Sequence, residues 1–218
     1  MTTLSGPMLP PLSGGKPKQL VVLLHGYGSD GSDLIALGRH WQELLPDAMF
    51  VSPNAPEAAS ENPQGFQWFA LDLDRISSLT SGLPLARPVV VEFLKALWVQ
   101  TGLSAKETIL VGFSQGAMMA LHVGTSLEEP LMGIIAFSGA FVEPKGFMDG
   151  NKARAPICLV HGDLDSVVDP ALSAAAAKQL ADLGFEVSYH VSPGVGHGIS
   201  PDGLGFASAF IAGVSAKI

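Results

Sequence analysis

The chain has 218 residues, of which 47% are apolar and only 15% charged, and its formal net charge is -8. That length and apolar content exclude a disordered chain and leave one domain enough sequence for a sizeable core. The negative charge argues against nucleic acid or an anionic membrane surface as partner, and no stretch reaches the length of a bilayer span, so stable membrane insertion is not expected.

Residues 1–19 are rich in Gly, Pro and Ser and predict turns and an edge element, a short hairpin laid on a sheet. No basic segment followed by an apolar core opens the chain, so a secretory signal is not expected and a cytoplasmic location is. The run Leu-Val-Val-Leu-Leu at 20–24 has no alternation, which suits a strand buried on both faces. It enters a Gly-dense loop at 25–31. A helix is expected over 32–45, with Leu34, Leu37, Trp41, Leu44 and Leu45 at helical spacing. A second strand spans 48–51.

Residues 57–83 show no regular pattern. An irregular loop of that length in a compact domain covers a site or forms a lid. Trp68, Phe69, Leu71 and Leu73 are its candidate substrate-binding residues, against the competing reading that they only pin the loop to the core. An amphipathic helix is predicted from Pro84 or Pro88 to Thr101, stopped at Gly102.

Residues 109–111 form a strand that meets Gly112-Phe113-Ser114-Gln115-Gly116, and an Ala/Met/Leu helix follows at once. A strand reversing into a helix so tightly brings backbone against backbone, which accounts for a glycine two residues either side of Ser114. The apical serine is forced into strain, and its hydroxyl is lifted clear of the sheet. Further on, 133–137 is a strand leading into Ser138, and 142–155 is loop. The strand at 156–160 carries the only cysteine, Cys158, which precludes an intramolecular disulfide and reads as a packed core thiol. Asp169-Pro170 caps an Ala-rich helix that stops at Gly184, 185–191 alternates as a strand, and Ser200-Pro201-Asp202 opens the last helix. Short apolar strands alternating with helices imply a single α/β domain over 1–218, with a mostly parallel, doubly wound sheet covered on both faces.

In such sheets chemistry gathers at the carboxyl ends of the strands. His25, Ser114, Ser138, the cluster of His161, Asp163 and Asp165, and His197 all follow strands. A serine needs a base, usually a histidine held by a carboxylate. His197, framed by Gly194, Gly196 and Gly198 on a loop, is the candidate base, whereas His190 falls inside a strand and reads as structural. His25 and His161 read as turn or loop-bridging residues, and Asp169 as a helix cap. Spacing alone leaves Asp163 and Asp165 open as the acid. The Gln115 amide, at the start of a helix, and an amide of the 25–28 loop, best Tyr27, are the candidate oxyanion donors. No two-histidine metal spacing occurs, and the 25–31 loop lacks the pattern and lysine of a phosphate cradle, so neither metal nor cofactor is expected.

Taken together, Leu-His-Gly-Tyr-Gly-Ser-Asp at 24–30, Gly-Phe-Ser-Gln-Gly at 112–116, Phe-Ser-Gly at 137–139, His-Gly-Asp-Leu-Asp-Ser-Val-Val at 161–168 and Gly-His-Gly at 196–198 resemble the phospholipase/carboxylesterase family of α/β hydrolases. That family includes bacterial carboxylesterases and acyl-protein thioesterases. The resemblance covers nearly the whole chain in order. It implies an α/β-hydrolase fold, a catalytic set of Ser114, Asp165 and His197, an oxyanion hole at Tyr27 and Gln115, and no cofactor. The expected activity is hydrolysis of a small-molecule carboxylic ester through an acyl-enzyme on Ser114, with a thioesterase or lysophospholipase as the alternative and a homodimer within the family's range. The chain departs from the family at Ala117, where a second glycine is usual, and at Ala70, where thioesterase members carry Asp after Trp-Phe.

Overall fold

A computed structural model describes residues 4–72, 75–145 and 154–216. Its centre is a seven-stranded sheet. The first strand, β1 (Met8–Leu9), is followed by β2 (Gln19–Leu24), α1 (Gly31–Trp41) and β3 (Ala48–Val51). A separate hairpin, β4 (Glu57–Ala58) and β5 (Phe66–Gln67), precedes the long α2 (Arg75–Thr101). Then come β6 (Thr108–Phe113), α3 (Gln115–Ser126), β7 (Gly133–Phe137), β8 (Ile157–Gly162), α4 (Pro170–Asp182), β9 (Val187–Ser192) and α5 (Pro201–Ser215). The sheet order is β1-β3-β2-β6-β7-β8-β9, parallel except where β1 runs antiparallel to β3. This is the mostly parallel, doubly wound sheet that the alternating pattern predicts and the α/β-hydrolase fold that the resemblance implies.

The parallel strands are apolar without alternation because both faces are covered. Val22, Leu24, Leu110, Ile134 and Leu159 point to one layer, under Leu83, Val90 and Leu94 of α2, Met119 of α3 and Leu180 of α4. Their neighbours Val21, Leu23, Val111, Ile135 and Val160 point to the other, under Leu34 and Trp41 of α1 and Ile211 of α5. Each such fully buried side chain contributes about 1.5–3 kcal/mol. All three indole N–H groups are satisfied: Trp41 donates to Ser208 Oγ at 2.9 Å, Trp68 to His25 O at 2.9 Å and Trp98 to Thr108 Oγ1 at 2.8 Å. The first of these ties α1 to α5.

Three expectations change. The N-terminal segment is a single edge strand, not a hairpin: β1 pairs with β3, and Ser52 N and Asn54 N donate to Pro7 O and Ser5 O. Helix α1 ends at Trp41 rather than Leu45, with the chain continuing in a turn in which Leu45 N donates to Trp41 O. The largest change concerns α2, which starts at Arg75 and contains both Pro84 and Pro88. The described part of 57–83 is therefore a hairpin, the segment 68–72 and the first turns of a helix, not one irregular loop. The two prolines are four residues apart and both are exposed on the helix's solvent face, so their rings do not disturb the packing of α2 on the sheet.

Candidate active site

Strand β6 turns into α3 through Ser114, whose φ of 53° and ψ of -116° lie outside the usual regions for a residue with a side chain. Crowding compels it. A Cβ on Gly112 would lie 2.1 Å from Gly116 O, and one on Gly116 would lie 1.9 Å from Leu24 O. The Ala117 methyl is accommodated because its neighbour is Gly139, where an added Cβ would come within 2.8 Å of it. Ser138, at the end of β7, shares the strain with a φ of 51°, and its buried hydroxyl has no partner among the described residues.

The structure brings three of the expected residues into one hydrogen-bonded chain. His197 Nε2 lies 3.0 Å from Ser114 Oγ, and His197 Nδ1 lies 2.7 Å from Asp165 Oδ2. The carboxylate shows Nδ1 to be the donor, which leaves Nε2 to accept the serine proton. Asp165 Oδ1 accepts from the Val167 and Val168 amides, both at 2.9 Å. Burial pushes the Asp165 carboxyl up, but the His197 hydrogen bond and the Val168 and Val167 amides outweigh it and leave the group below its ordinary value. Asp165 is thus held ionised beside the ring.

Asp163 does something else. Its Oδ1 accepts from Gly194 N at 2.6 Å, and Leu164 N donates to Val195 O at 2.9 Å. The loop bearing His197 is therefore clasped to the loop bearing Asp165. The His197 ring also rests on Phe113, with centroids 4.8 Å apart. Neither Asp163 nor Phe113 was assigned this role from the sequence. The placement of Phe113 inside the elbow was the only available signal.

Tyr27 lies on the loop after β2, and Gly26 packs on the nucleophile: a Cβ there would meet Ser114 Cβ at 3.4 Å. The Tyr27 amide has no acceptor among the described residues, and Gln115, first in α3, has none within the helix. His25 braces this loop from below. Its Nδ1 donates to Gly26 O at 2.8 Å and its Nε2 accepts from Ala55 N at 3.0 Å. Burial lowers its pKa, so the ring is a neutral strut. From above, the β4–β5 hairpin holds the same loop, through Gly28 N to Phe66 O, Phe66 N to Ser29 O and Asn62 Nδ2 to Gly28 O.

Trp68 and Phe69 are buried, and Leu71 is half-buried against the same core. The expected Leu73 lies outside the described residues. Gln115, only 2% exposed, fastens this segment with its side chain: Oε1 accepts from Trp68 N at 2.9 Å and Nε2 donates to Phe69 O at 2.7 Å. The sequence reading used only its backbone. A cavity of about 450 Å³ lined by Arg87, Trp98, Leu103 and Glu128 lies at the amino ends of the strands, away from this chemistry. Among the described residues no group of three or more His, Cys, Asp or Glu is placed to hold a metal.

Comparisons with known proteins set the chain beside esterases and thioesterases. A family model described as Phospholipase/Carboxylesterase matches residues 12–215. Esterase YpfH of Escherichia coli is 31% identical over 196 residues, covering 89% of this chain and 83% of that one. Acyl-protein thioesterase 1 of Saccharomyces cerevisiae is 32% identical over 209 residues, covering 89% and 92%. The crystal structure of esterase PE8 superposes with a TM-score of 0.93 at 53% identity, covering 97% of this chain and 99% of that one.

Proposed function

Since the chain belongs to the phospholipase/carboxylesterase family of α/β hydrolases and is a hydrolase of the carboxylesterase and thioesterase type, we propose that it cleaves carboxylic esters through an acyl-enzyme on Ser114. The observation that carries this reading is the uninterrupted chain from Ser114 Oγ to His197 to Asp165 at the apex of a strained elbow. His197 Nε2 takes the serine proton as Oγ attacks the acyl carbonyl. The ring becomes positive, and Asp165 stabilises that charge while keeping the ring in place. The Tyr27 and Gln115 amides receive the oxyanion, aided by the positive end of α3. The proton on Nε2 then passes to the leaving alkoxide, and the alcohol departs. In the second half a water gives its proton to Nε2 and attacks the acyl-enzyme, and as the acyl–Oγ bond breaks Nε2 returns that proton to Ser114 Oγ and the acid is released.

On this reading the wall of Trp68, Phe69 and Leu71 borders the acyl group. Replacing Ser114 with Ala abolishes turnover of a p-nitrophenyl ester and labelling by a fluorophosphonate. Undiminished turnover in S114A would overturn the proposal. A second reading, thioester hydrolysis by the same machinery, is favoured by the similarity to an acyl-protein thioesterase. Comparing kcat/KM on an acyl thioester and the matched oxygen ester separates the two.

A further inference from the structure

Asp165 faces a second histidine. His161 Nε2 lies 3.1 Å from Asp165 Oδ2 and 3.0 Å from Val168 O. Both side chains are wholly buried. On its other side His161 Nδ1 lies 2.6 Å from Ser173 Oγ in α4, and that hydroxyl lies 2.9 Å from Gly139 O.

The proton positions follow from the inventory of donors. A carboxylate and a carbonyl have no hydrogen to give, so Nε2 must carry one. Ser173 has a single hydroxyl proton. It goes either to Gly139 O, in which case Nδ1 donates to Oγ, or to Nδ1. In both arrangements Nε2 remains the donor toward Asp165. An ionised carboxylate accepts about four hydrogen bonds. Val167 N and Val168 N fill one oxygen of Asp165, and His197 and His161 fill the other. Without His161 the oxygen that meets His197 would keep no hydrogen bond among the described residues besides the one to His197 itself, and only the two amides on the other oxygen would set the tilt of the carboxylate.

We propose that His161, oriented by Ser173, is a positioning residue that locks the Asp165 carboxylate in place for His197, so that the reactive chain runs Ser114–His197–Asp165–His161. This rests on the role given to Ser114, Asp165 and His197 under the proposed function. His161 touches no substrate and acts only through Asp165. Its anchor in α4 and the contact to Gly139 make the geometry of the base depend on three strand ends at once.

The test compares H161L, H161Q and S173A with the wild-type chain on a p-nitrophenyl ester. A Gln amide nitrogen reaches about as far as Nε2 and can donate to Asp165, whereas Leu fills the space without donating. The expected result is a kcat lower by roughly 10- to 100-fold in H161L, the scale of a small misplacement of a reacting group. KM is unchanged, and H161Q recovers most of the lost kcat. The downfield proton resonance of His197 Nδ1–H shifts in H161L and returns in H161Q. Should H161L not fold, S173A, which removes a single hydroxyl, still lowers kcat without altering KM. The proposal is overturned by an unchanged kcat in folded H161L, by H161Q falling as far as H161L, or by an unchanged kcat in S173A where H161L does not fold. Turnover surviving in S114A would instead remove the reading beneath it.

Discussion

Asp163 and Asp165 are two residues apart on one loop and bind different partners. Asp165 takes the proton side of His197, whereas Asp163 caps Gly194 on the facing loop. Their substitutions should separate accordingly. D165N presents an amide to Nδ1, disfavours the tautomer that accepts from Ser114, and is expected to lower kcat on the order of 10⁴-fold. D163A loses one exposed hydrogen bond, about 1 kcal/mol of stability, and a far smaller share of kcat. Equal losses of kcat would contradict the assignment. The pH dependence of stability follows from the same residue. Because the folded-state pKa of Asp165 is depressed, its contribution is present above the ordinary carboxylate value and is lost as pH falls through the folded value. The stability advantage of wild type over D165N, read from urea unfolding, should therefore be largest at neutral pH and shrink below about pH 4. A difference that stays constant between neutral pH and pH 3 would refute this. Position after a strand and chain order brought Asp163, Asp165 and His197 to notice, and the family resemblance pointed to Asp165, but it is the geometry that gives the physical difference between the two acids. Neither pattern nor spacing encodes which side chain turns toward the base.

Helix α2 shows where local sequence misleads. Ser, Thr and Gly between residues 77 and 83 read as a loop, yet the segment is helical. Thr80 Oγ1 and Ser81 Oγ both donate to Ser77 O, so hydroxyls that often compete with a helix here support its first turns. Gly82 has a packing reason. A Cβ at that position would lie 2.5 Å from Phe69 Cδ2 and 2.8 Å from Phe69 Cβ, atoms too near the backbone to move aside. In an exposed helix Gly→Ala gains about 1 kcal/mol. Here overpacking costs about 1–3 kcal/mol and should win. G82A is thus expected to lower the urea midpoint and, because Phe69 O is held by the Gln115 side chain, to reduce kcat as well. A more stable G82A would show that the contact can relax. The apolar strands were legible because burial on both faces leaves an unmistakable run. The β4–β5 hairpin was not, since its strands are two residues long and its partners, Gly28 and Ser29, lie far back in the chain.

At the scale of the whole molecule, the fold separates a rigid sheet from a set of loops at one of its ends. The sheet is sandwiched between two apolar layers, while the groups around Ser114 come from the ends of β2, β6, β7, β8 and β9 and are joined by single hydrogen bonds across loops. Such a site should open before the core does, because loop contacts bury less apolar area than strand contacts. Cys158 offers a reporter for the core. It lies in β8, pairs with Ile135 and Ser188, and is wholly buried, and burial pushes its thiol pKa up to about 12. It is the sole cysteine, so alkylation reads one place. In rising urea, fluorophosphonate labelling of Ser114 should be lost first, while iodoacetamide modification of Cys158 begins only at the cooperative transition seen by far-UV circular dichroism. Coincident loss of Ser114 labelling and gain of Cys158 labelling would mean that the site and the sheet unfold as one unit. Cys158 alkylation below the transition would mean that β8 itself opens locally, and the loops would then owe their order to the sheet far less than the packing implies.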